Sequence, residues 1–581
     1  MTNEEVAQAL EEIADLLEIA DEQFFRVRSY RRAAEAIGGQ PEDVEVLLSE
    51  DRLTDISGIG EGIASTIAQL IETGTCDQRE ELLKDYPESL LELLKISGFG
   101  PKKAALVFNE LDIATVDELQ EAAAAQELQT LPGMGAKTEE NILRGIANYR
   151  EGQQRTLLGI ILPIAEELIE KLRQHPSVIE AEIAGSARRR RETVHDLDVL
   201  VTAEDPAEVC EWFAGQDFLT AVEAAGETKV SGTLQSGDQV DLRAVPEESF
   251  GAALQYFTGS QQHNIRLRER AQRMGLTVNE YGVFEYEDEE RGERVAGRTE
   301  QEVYEALDLV WIPPELREDR GEVGAAETDE LPDLIELDDI RCDLQMHSTY
   351  SDGKATVEEM ARTCAEIGYE YIGFTDHSES LAVANGLDAQ RLEKQQEEIA
   401  AVNEKLHDEG ISMVILHGIE ADILPDGSVD IPDGTAEMLD YVIGALHQGF
   451  SSDAERITER MVRAVKSGLV DIIAHPTGRV LLQRQPYGLH IDELIEACAD
   501  EDVALEINAA PDRLDLDDTH ARFAVDKGCR ISINTDSHQP EMLYNMRYGV
   551  FQARRGWITA GDVINTWSLE DFRDWIASRR T

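Results

Sequence analysis

From residue 1 to about 150 the chain reads as a series of helices, broken three times by the same apolar-x-Gly-apolar-Gly punctuation: Ile56-Ser-Gly58-Ile-Gly60, Ile96-Ser-Gly98-Phe-Gly100 and Leu131-Pro-Gly133-Met-Gly135. The pattern then changes to short branched, apolar-rich strands, among them His195–Val201 and Gln239–Arg243. Residues 317–337 are acidic, contain Gly and Pro, and show no apolar periodicity, which reads as a linker. From Asp339 to about Thr581 a strand-then-helix rhythm returns, with polar residues gathered just after each apolar run. These patterns predict a multidomain protein: an all-α N-terminal region, an α+β middle and a C-terminal α/β barrel whose polar residues collect on one face.

The densest chemistry lies in Ala184–Val201, AGSARRRRETVHDLDVLV. Side chains on a strand alternate faces, so Asp196 and Asp198 point the same way, roughly 7 Å apart. Paired carboxylates repel, and an oxygen-seeking cation such as Mg²⁺ relieves that repulsion. Upstream, Gly185-Ser186 and Arg188–Arg191 supply a tight turn, a hydroxyl and guanidinium donors suited to a phosphate chain. Asp241, on the later strand, is placed in sequence to lie beside the first two. A lone Asp-x-Asp is as readily an exposed polar face; the donors and the third Asp favour the metal site.

The glycines of the three N-terminal punctuations permit turns in which backbone N–H groups and a helix start face a phosphate, so DNA contact needs little positive charge. In the C-terminal part the apolar runs end in Gln345-Met-His347-Ser-Thr-Tyr-Ser-Asp352, Thr375-Asp-His377, Gly418-Ile-Glu420-Ala-Asp422, Ala445-Leu-His447, Ala474-His475-Pro and Thr535-Asp536-Ser-His538. Imidazoles and carboxylates converging in this way suit zinc or manganese.

Composition changes the setting more than the fold. The 581 residues carry a formal charge of −65, and 12 of the 53 basic residues are Lys. Such a surface repels nucleic acid at ordinary ionic strength. In molar salt the Debye length falls to about 3 Å and the long-range repulsion disappears, so the charge reads as adaptation to a salty cytoplasm. The six Cys show no paired spacing, no N-terminal signal segment is evident, and no run of about 18 apolar residues occurs. A cytoplasmic protein with no membrane partner is the expectation.

Gly185-Ser186, Arg189, Asp196-x-Asp198 and Asp241 resemble the palm of the family X DNA polymerases, the group that includes eukaryotic DNA polymerase beta. The resemblance implies that Asp196, Asp198 and Asp241 are catalytic and hold Mg²⁺ or Mn²⁺, while Gly185, Ser186 and Arg189 take the outer phosphates of a dNTP. Residues 256–268 resemble the family's thumb motif. By that likeness Tyr256, Phe257 and Gly259 shape the sugar pocket, and Asn264 and Arg268 probe the minor-groove edge of the new base pair. The N-terminal part resembles the family's lyase and fingers regions, implying DNA contact at Gly58, Gly60, Gly98, Gly100, Gly133 and Gly135. Where lyase-active members carry a Schiff-base lysine, this chain has Thr66; a Schiff base needs an amine, so no lyase activity of that type is expected.

Residues 339–581 resemble a polymerase and histidinol phosphatase (PHP) domain, a distorted barrel of about seven strands that holds up to three metal ions. Carried over by position, the Mn²⁺ or Zn²⁺ ligands are His347, Asp352, His377, Glu420, His447, His475, Asp536 and His538. The family's opening His-x-His is Gln345-x-His347 here, a weaker, neutral first ligand. Arg479 is assigned either to a scissile phosphate or to an exposed salt bridge. The resulting layout is a lyase-like region (1–85), a fingers-like region (86–150), the palm (151–247), the thumb (248–318), a linker (319–338) and the PHP domain (339–581). It implies a monomeric gap-filling repair polymerase, acting on gapped or primed duplex with dNTPs, with a 3′–5′ exonuclease in the barrel. A template-independent nucleotidyltransferase and a DNA-end scaffold with a decayed PHP domain are the alternatives.

Overall fold

The structure, a computed structural model, describes the chain except residues 2, 39–43, 50–51, 57, 97–98, 154, 288–289, 451 and 581. It divides into two compact units, residues 1–154 with 482–484, and residues 155–481 with 485–581.

The first unit is helical among its described residues. Its three punctuations make the same turn: the N–H groups of Ile59, Phe99 and Met134 donate to the carbonyls of Ile56, Ile96 and Leu131 at 3.1, 2.9 and 3.1 Å. The donors' side chains are buried and fix each turn to the helical core. Gly58 and Gly133 adopt φ of +97° and +77°, where any side chain would be strained; Gly98 lies outside the described residues. Gly60, Gly100 and Gly135 immediately precede the helices Glu61–Thr73, Pro101–Leu111 and Ala136–Gln153. A Cβ at any of the three would meet no described atom within 4 Å, so these helix starts are uncovered among the described residues.

The second unit begins with a five-stranded sheet. Its strands are β1 (Val178–Ile183), β2 (Asp196–Ala203), β3 (Leu219–Ala225), β4 (Lys229–Leu234) and β5 (Gln239–Ala244), in the order β1-β2-β5-β4-β3. β2 and β5 are parallel neighbours, with Asp198 opposite Asp241. Next come α1 (Phe250–Thr258), α2 (Gln261–Arg273) and a three-stranded sheet, Leu276–Asn279, Gly282–Glu287 and Glu290–Ala296.

Residues 319–338 form no loose tether. They contain α3 (Glu322–Glu327), whose Ala326 joins Leu267 and Ile312 in one apolar cluster, as does Leu334. Glu322 is buried against His263, which bridges its Oε1 at 2.6 Å and the Tyr304 hydroxyl at 2.9 Å. Composition misleads here because one carboxylate of the acidic run is turned inward and hydrogen-bonded, which is how a buried charge is tolerated.

The C-terminal part is a nearly closed barrel of seven parallel strands in sequence order: β6 (Cys342–Asp343), β7 (Tyr371–Phe374), β8 (Val414–Asp422), β9 (Tyr441–Ala445), β10 (Ile472–Ile473), β11 (Ala504–Asn508) and β12 (Ile531–Asn534). A parallel bridge between Met346 and Ser537 brings its two ends together. The segment after β12 includes α4 (Met546–Arg555), whose Tyr548 joins the palm's apolar cluster together with Leu514. Palm and barrel therefore share packing.

Inside the barrel, Tyr441 occupies the space left by two glycines: a Cβ on Gly373 would lie 1.9 Å from its hydroxyl, and one on Gly418 2.8 Å from its ring. Gly373→Ala should therefore destabilise the barrel by about 1–3 kcal/mol through overpacking. Differential scanning calorimetry should show the barrel transition lowered by roughly 2–10 °C.

Candidate functional site

In the palm, Gly185 follows β1 at φ +61°, and a Cβ there would lie 2.4 Å from Asp198 Oδ2. Glycine is needed on both counts: the backbone angle and the approach of the carboxylate. Asp198 is half-buried, and burial, followed by the charges of Asp196 and Asp241, pushes its carboxyl up to about 6. Asp241 goes the other way. Burial raises it, but the Ser231 hydroxyl at 2.5 Å and the Lys229 ammonium at 2.9 Å outweigh that and hold it below the usual carboxylate range. Asp196 is exposed at the start of β2. Lys229 and Ser231 escaped sequence reading because β4 meets β5 only through the antiparallel register that sets Ser231 opposite Asp241.

Around this pair, Tyr256 and Phe257 make an edge-to-face contact with ring centroids 5.2 Å apart, and Arg243 stacks 4.7 Å over Phe257. Gly259 is at φ +68° beside Arg189 Nη1. Asn264 is occupied within the protein: it donates to the Tyr256 carbonyl at 2.8 Å and accepts from Gln255 at 2.7 Å. Arg268 is exposed. Arg189 is paired with Glu318 at 3.0 Å and donates to the Thr258 carbonyl. Its neighbour Arg188 forms a bidentate pair with Glu300 at 2.8 and 2.7 Å, and Arg317 reaches the same carboxylate at 2.6 Å. Ser186 lies in the short helix Gly185–Arg188, its carbonyl accepting from Arg191 N–H.

In the first unit, the Thr66 hydroxyl hydrogen-bonds the Gly62 carbonyl and lies 3.3 Å from the Tyr30 hydroxyl, largely buried.

At the mouth of the barrel the eight expected residues meet. Glu420, at the end of β8, is the hub: its oxygens lie 3.4 Å from His347, 3.2 Å from His377, 3.3 Å from His447 and 3.1 Å from His475. Asp536 lies 3.0 Å from His347, and Asp352 lies 3.4 Å from both His377 and His538. Three sets could each hold an ion: His347, Asp352, His377 and His538; His377, Glu420 and His447; and His347, Glu420 and Asp536. The donor chemistry fits divalent cations. The Nδ1 atoms of His347, His377 and His447, Glu420 Oε2 and Gln345 Oε1 are buried without a hydrogen bond, an arrangement that an ion would satisfy.

A deeper layer orients these side chains. Asp376 accepts from the backbone N–H and hydroxyl of Ser348 and of Ser351, fixing the loop between His347 and Asp352. Glu506 on β11 accepts from His475 N–H at 2.7 Å and from Asn534 at 2.9 Å, while Asn508 donates to Asp536 at 3.1 Å. Burial, then the charge of Asp536, raises the Glu506 carboxyl well above the usual range. Such outer partners hold a metal's ligands in orientation. Arg479 takes the salt-bridge option: it pairs with Glu192 of the palm at 2.6 Å.

The carboxylates of the cluster act on its imidazoles. Burial lowers His347, but Asp536, Asp352 and Glu420 outweigh it and push the imidazole up to about 10. Glu420 and Asp422 likewise overcome burial and push His447 up to about 9. Both are therefore protonated at pH 7.5, and each must lose a proton before it can ligate a metal. Metal-stripped protein titrated with Mn²⁺ at pH 7.5 should release about two protons through these residues. Calorimetry in buffers of different ionisation enthalpy measures that release, and affinity should rise from pH 6 to 9; equal heats in all buffers would contradict it.

Four family models match the chain: a helix-hairpin-helix domain over residues 1–76, a SAM-like helix-hairpin-helix tandem over 90–148, the DNA polymerase beta thumb over 253–318 and the PHP domain over 343–510. A DNA polymerase/3'-5' exonuclease PolX from Bacillus subtilis is 41% identical over 573 residues, covering 98% of each chain. Probable phosphatases from Thermoanaerobacter sp. and Caldanaerobacter subterraneus are each 28% identical, over 38% and 34% of this chain and 87% and 77% of their own lengths. With that similarity running end to end, through hairpins, thumb and barrel in one order, the chain belongs to the family X DNA polymerases that carry a C-terminal PHP domain.

Proposed function

We propose that the chain is a DNA-directed DNA polymerase that fills short gaps during repair, and that its barrel is a 3′–5′ exonuclease that processes 3′ ends. The activities in the name of the Bacillus subtilis relative support both halves. One observation carries the synthetic reading: strand register sets Asp198 opposite Asp241, with Gly185 closed against the Asp198 carboxylate.

Asp196, Asp198 and Asp241 would hold Mg²⁺ or Mn²⁺, and the histidines and carboxylates at the barrel mouth would hold up to three Mn²⁺ or Zn²⁺, with the Gln345 amide oxygen available as a neutral ligand. When bound, the ions would lower the pKa of the attacking 3′-hydroxyl or water and offset charge on the phosphate. Ser186 and Arg189 would hold the outer phosphates of the dNTP so that the 3′-oxygen attacks in line at the α-phosphorus and pyrophosphate leaves. The Tyr256–Phe257 edge and Gly259 would bound the sugar. Arg268 would reach the minor groove, and Asn264 would act indirectly, by fixing the Tyr256 carbonyl. The uncovered glycine turns would grip the duplex backbone without regard to sequence.

No described helix is long and apolar enough to cross a membrane. We read the −65 charge as fitting a cytoplasm of molar salt.

Asp241→Ala should lower primer extension on gapped duplex by at least about 10²-fold while DNA binding and nucleotide release from a labelled 3′ end persist. His377→Ala with Asp536→Ala should do the reverse; degradation that survives them would place the nuclease elsewhere. Wild-type extension should be retained or raised between about 0.1 and 3 M KCl, and falling activity across that range would contradict the salt reading. Borohydride should trap no protein adduct on an incised abasic duplex, because Thr66 offers no amine.

A further inference from the structure

The phosphate-binding turn of the palm is backed by the barrel. Residues 189–192 lie against α4: the Arg190 guanidinium sits 4.5 Å over the Phe551 ring, and Glu192 accepts from Gln552 at 2.8 Å. Arg555 donates to the Arg189 carbonyl at 2.7 Å. Arg555 falls four residues after Phe551 and three after Gln552, so it shares a helix face with each. The Arg555 side chain is 1% exposed, and its remaining partners are Glu318 at 3.2 Å and Asp518 at 2.6 Å.

Glu318 is the unusual member of this group. It is 13% exposed and its Oε1 serves two cations at once, Arg189 at 3.0 Å and Arg555 at 3.2 Å. If Arg189 were its only partner, moving that guanidinium to a triphosphate would strand a largely buried carboxylate, and leaving one half of a buried pair unpartnered is strongly unfavourable. Arg555 removes that obstacle, since it stays in place, anchored by Asp518, which Arg320 also holds at 3.0 Å. We propose that Arg555, in the barrel domain, is a positioning residue for polymerisation: it keeps Glu318 paired, so that the Arg189 guanidinium can pass from Glu318 to the outer phosphates of an incoming nucleotide. The nucleotide affinity of the palm then depends on the barrel's structure and not on its nuclease chemistry. This rests on the assignment of Arg189 to the outer phosphates.

The test is steady-state gap filling by the full chain, with exonuclease rate and thermal melting followed in parallel. Arg555→Met should raise the dNTP KM about tenfold with kcat within about threefold and exonuclease unchanged, the pattern of lost substrate binding. Arg555→Lys, which keeps a charge beside Glu318, should restore KM to within about threefold. In a Glu318→Gln background, where position 318 carries no charge to strand, Arg555→Met should have no further effect on KM. An equal KM rise in both backgrounds, or extension and exonuclease falling together, overturns the proposal. Destabilisation by Arg555→Met does not blur the comparison, because it would act equally with and without Glu318. Arg189→Ala separates the two levels: no KM change there removes the phosphate assignment itself, whereas a rise there with none in Arg555→Met removes only the role of Arg555.

Discussion

Like charges held close together by strand register are the constraint on which this molecule depends. Parallel pairing of β2 with β5 sets Asp198 beside Asp241, and the protein relieves only one of them. Asp241 has Lys229, Arg243 and Ser231; Asp198, more deeply buried, is pushed up to about 6. A carboxylate in that position is poised for a cation. The barrel mouth obeys the same rule with different partners. There Glu420, Asp352 and Asp536 lie among imidazoles, 3.0–3.4 Å from His347 and His377.

The acidic surface fits the way the rest of the molecule handles phosphate. In the first unit the helix starts after Gly60, Gly100 and Gly135 have no described atom built over them. The palm's arginines behave alike: Arg188 and Arg189 are each matched to a carboxylate, and their positive charge is placed locally without being spread over the surface. In concentrated salt only such short-range contacts retain their strength.

Much of this was legible in the sequence because it depends on local spacing. The Asp-x-Asp alternation, the Gly-Ser turn, the three repeated punctuations and the polar residues closing each barrel strand all follow from periods of two residues or from short fixed offsets. What was not legible lies one layer away. Glu506 and Asn508 sit in a strand that sequence reading did not single out, Asp376 falls between two residues of a polar run end without being assigned a part, and their roles appear only when β11, β12 and the loop after β6 are brought together. Glu322 looked like one more charge in an acidic run, yet His263, 59 residues earlier, receives it. Arg479 looked like a barrel-mouth residue and turned to Glu192, 287 residues away, and Arg555 reaches Arg189 across 366. No periodicity encodes contacts of that range.

The most direct measurement is anomalous diffraction from crystals of the full chain grown in molar salt with Mn²⁺ and a non-hydrolysable dNTP. The account predicts manganese peaks within about 2.0–2.6 Å of the carboxylates of both Asp198 and Asp241, with the triphosphate against Ser186 and Arg189, and further peaks among His347, Glu420 and Asp536. A palm in which Asp198 and Asp241 share no ion while nucleotide is bound would contradict it.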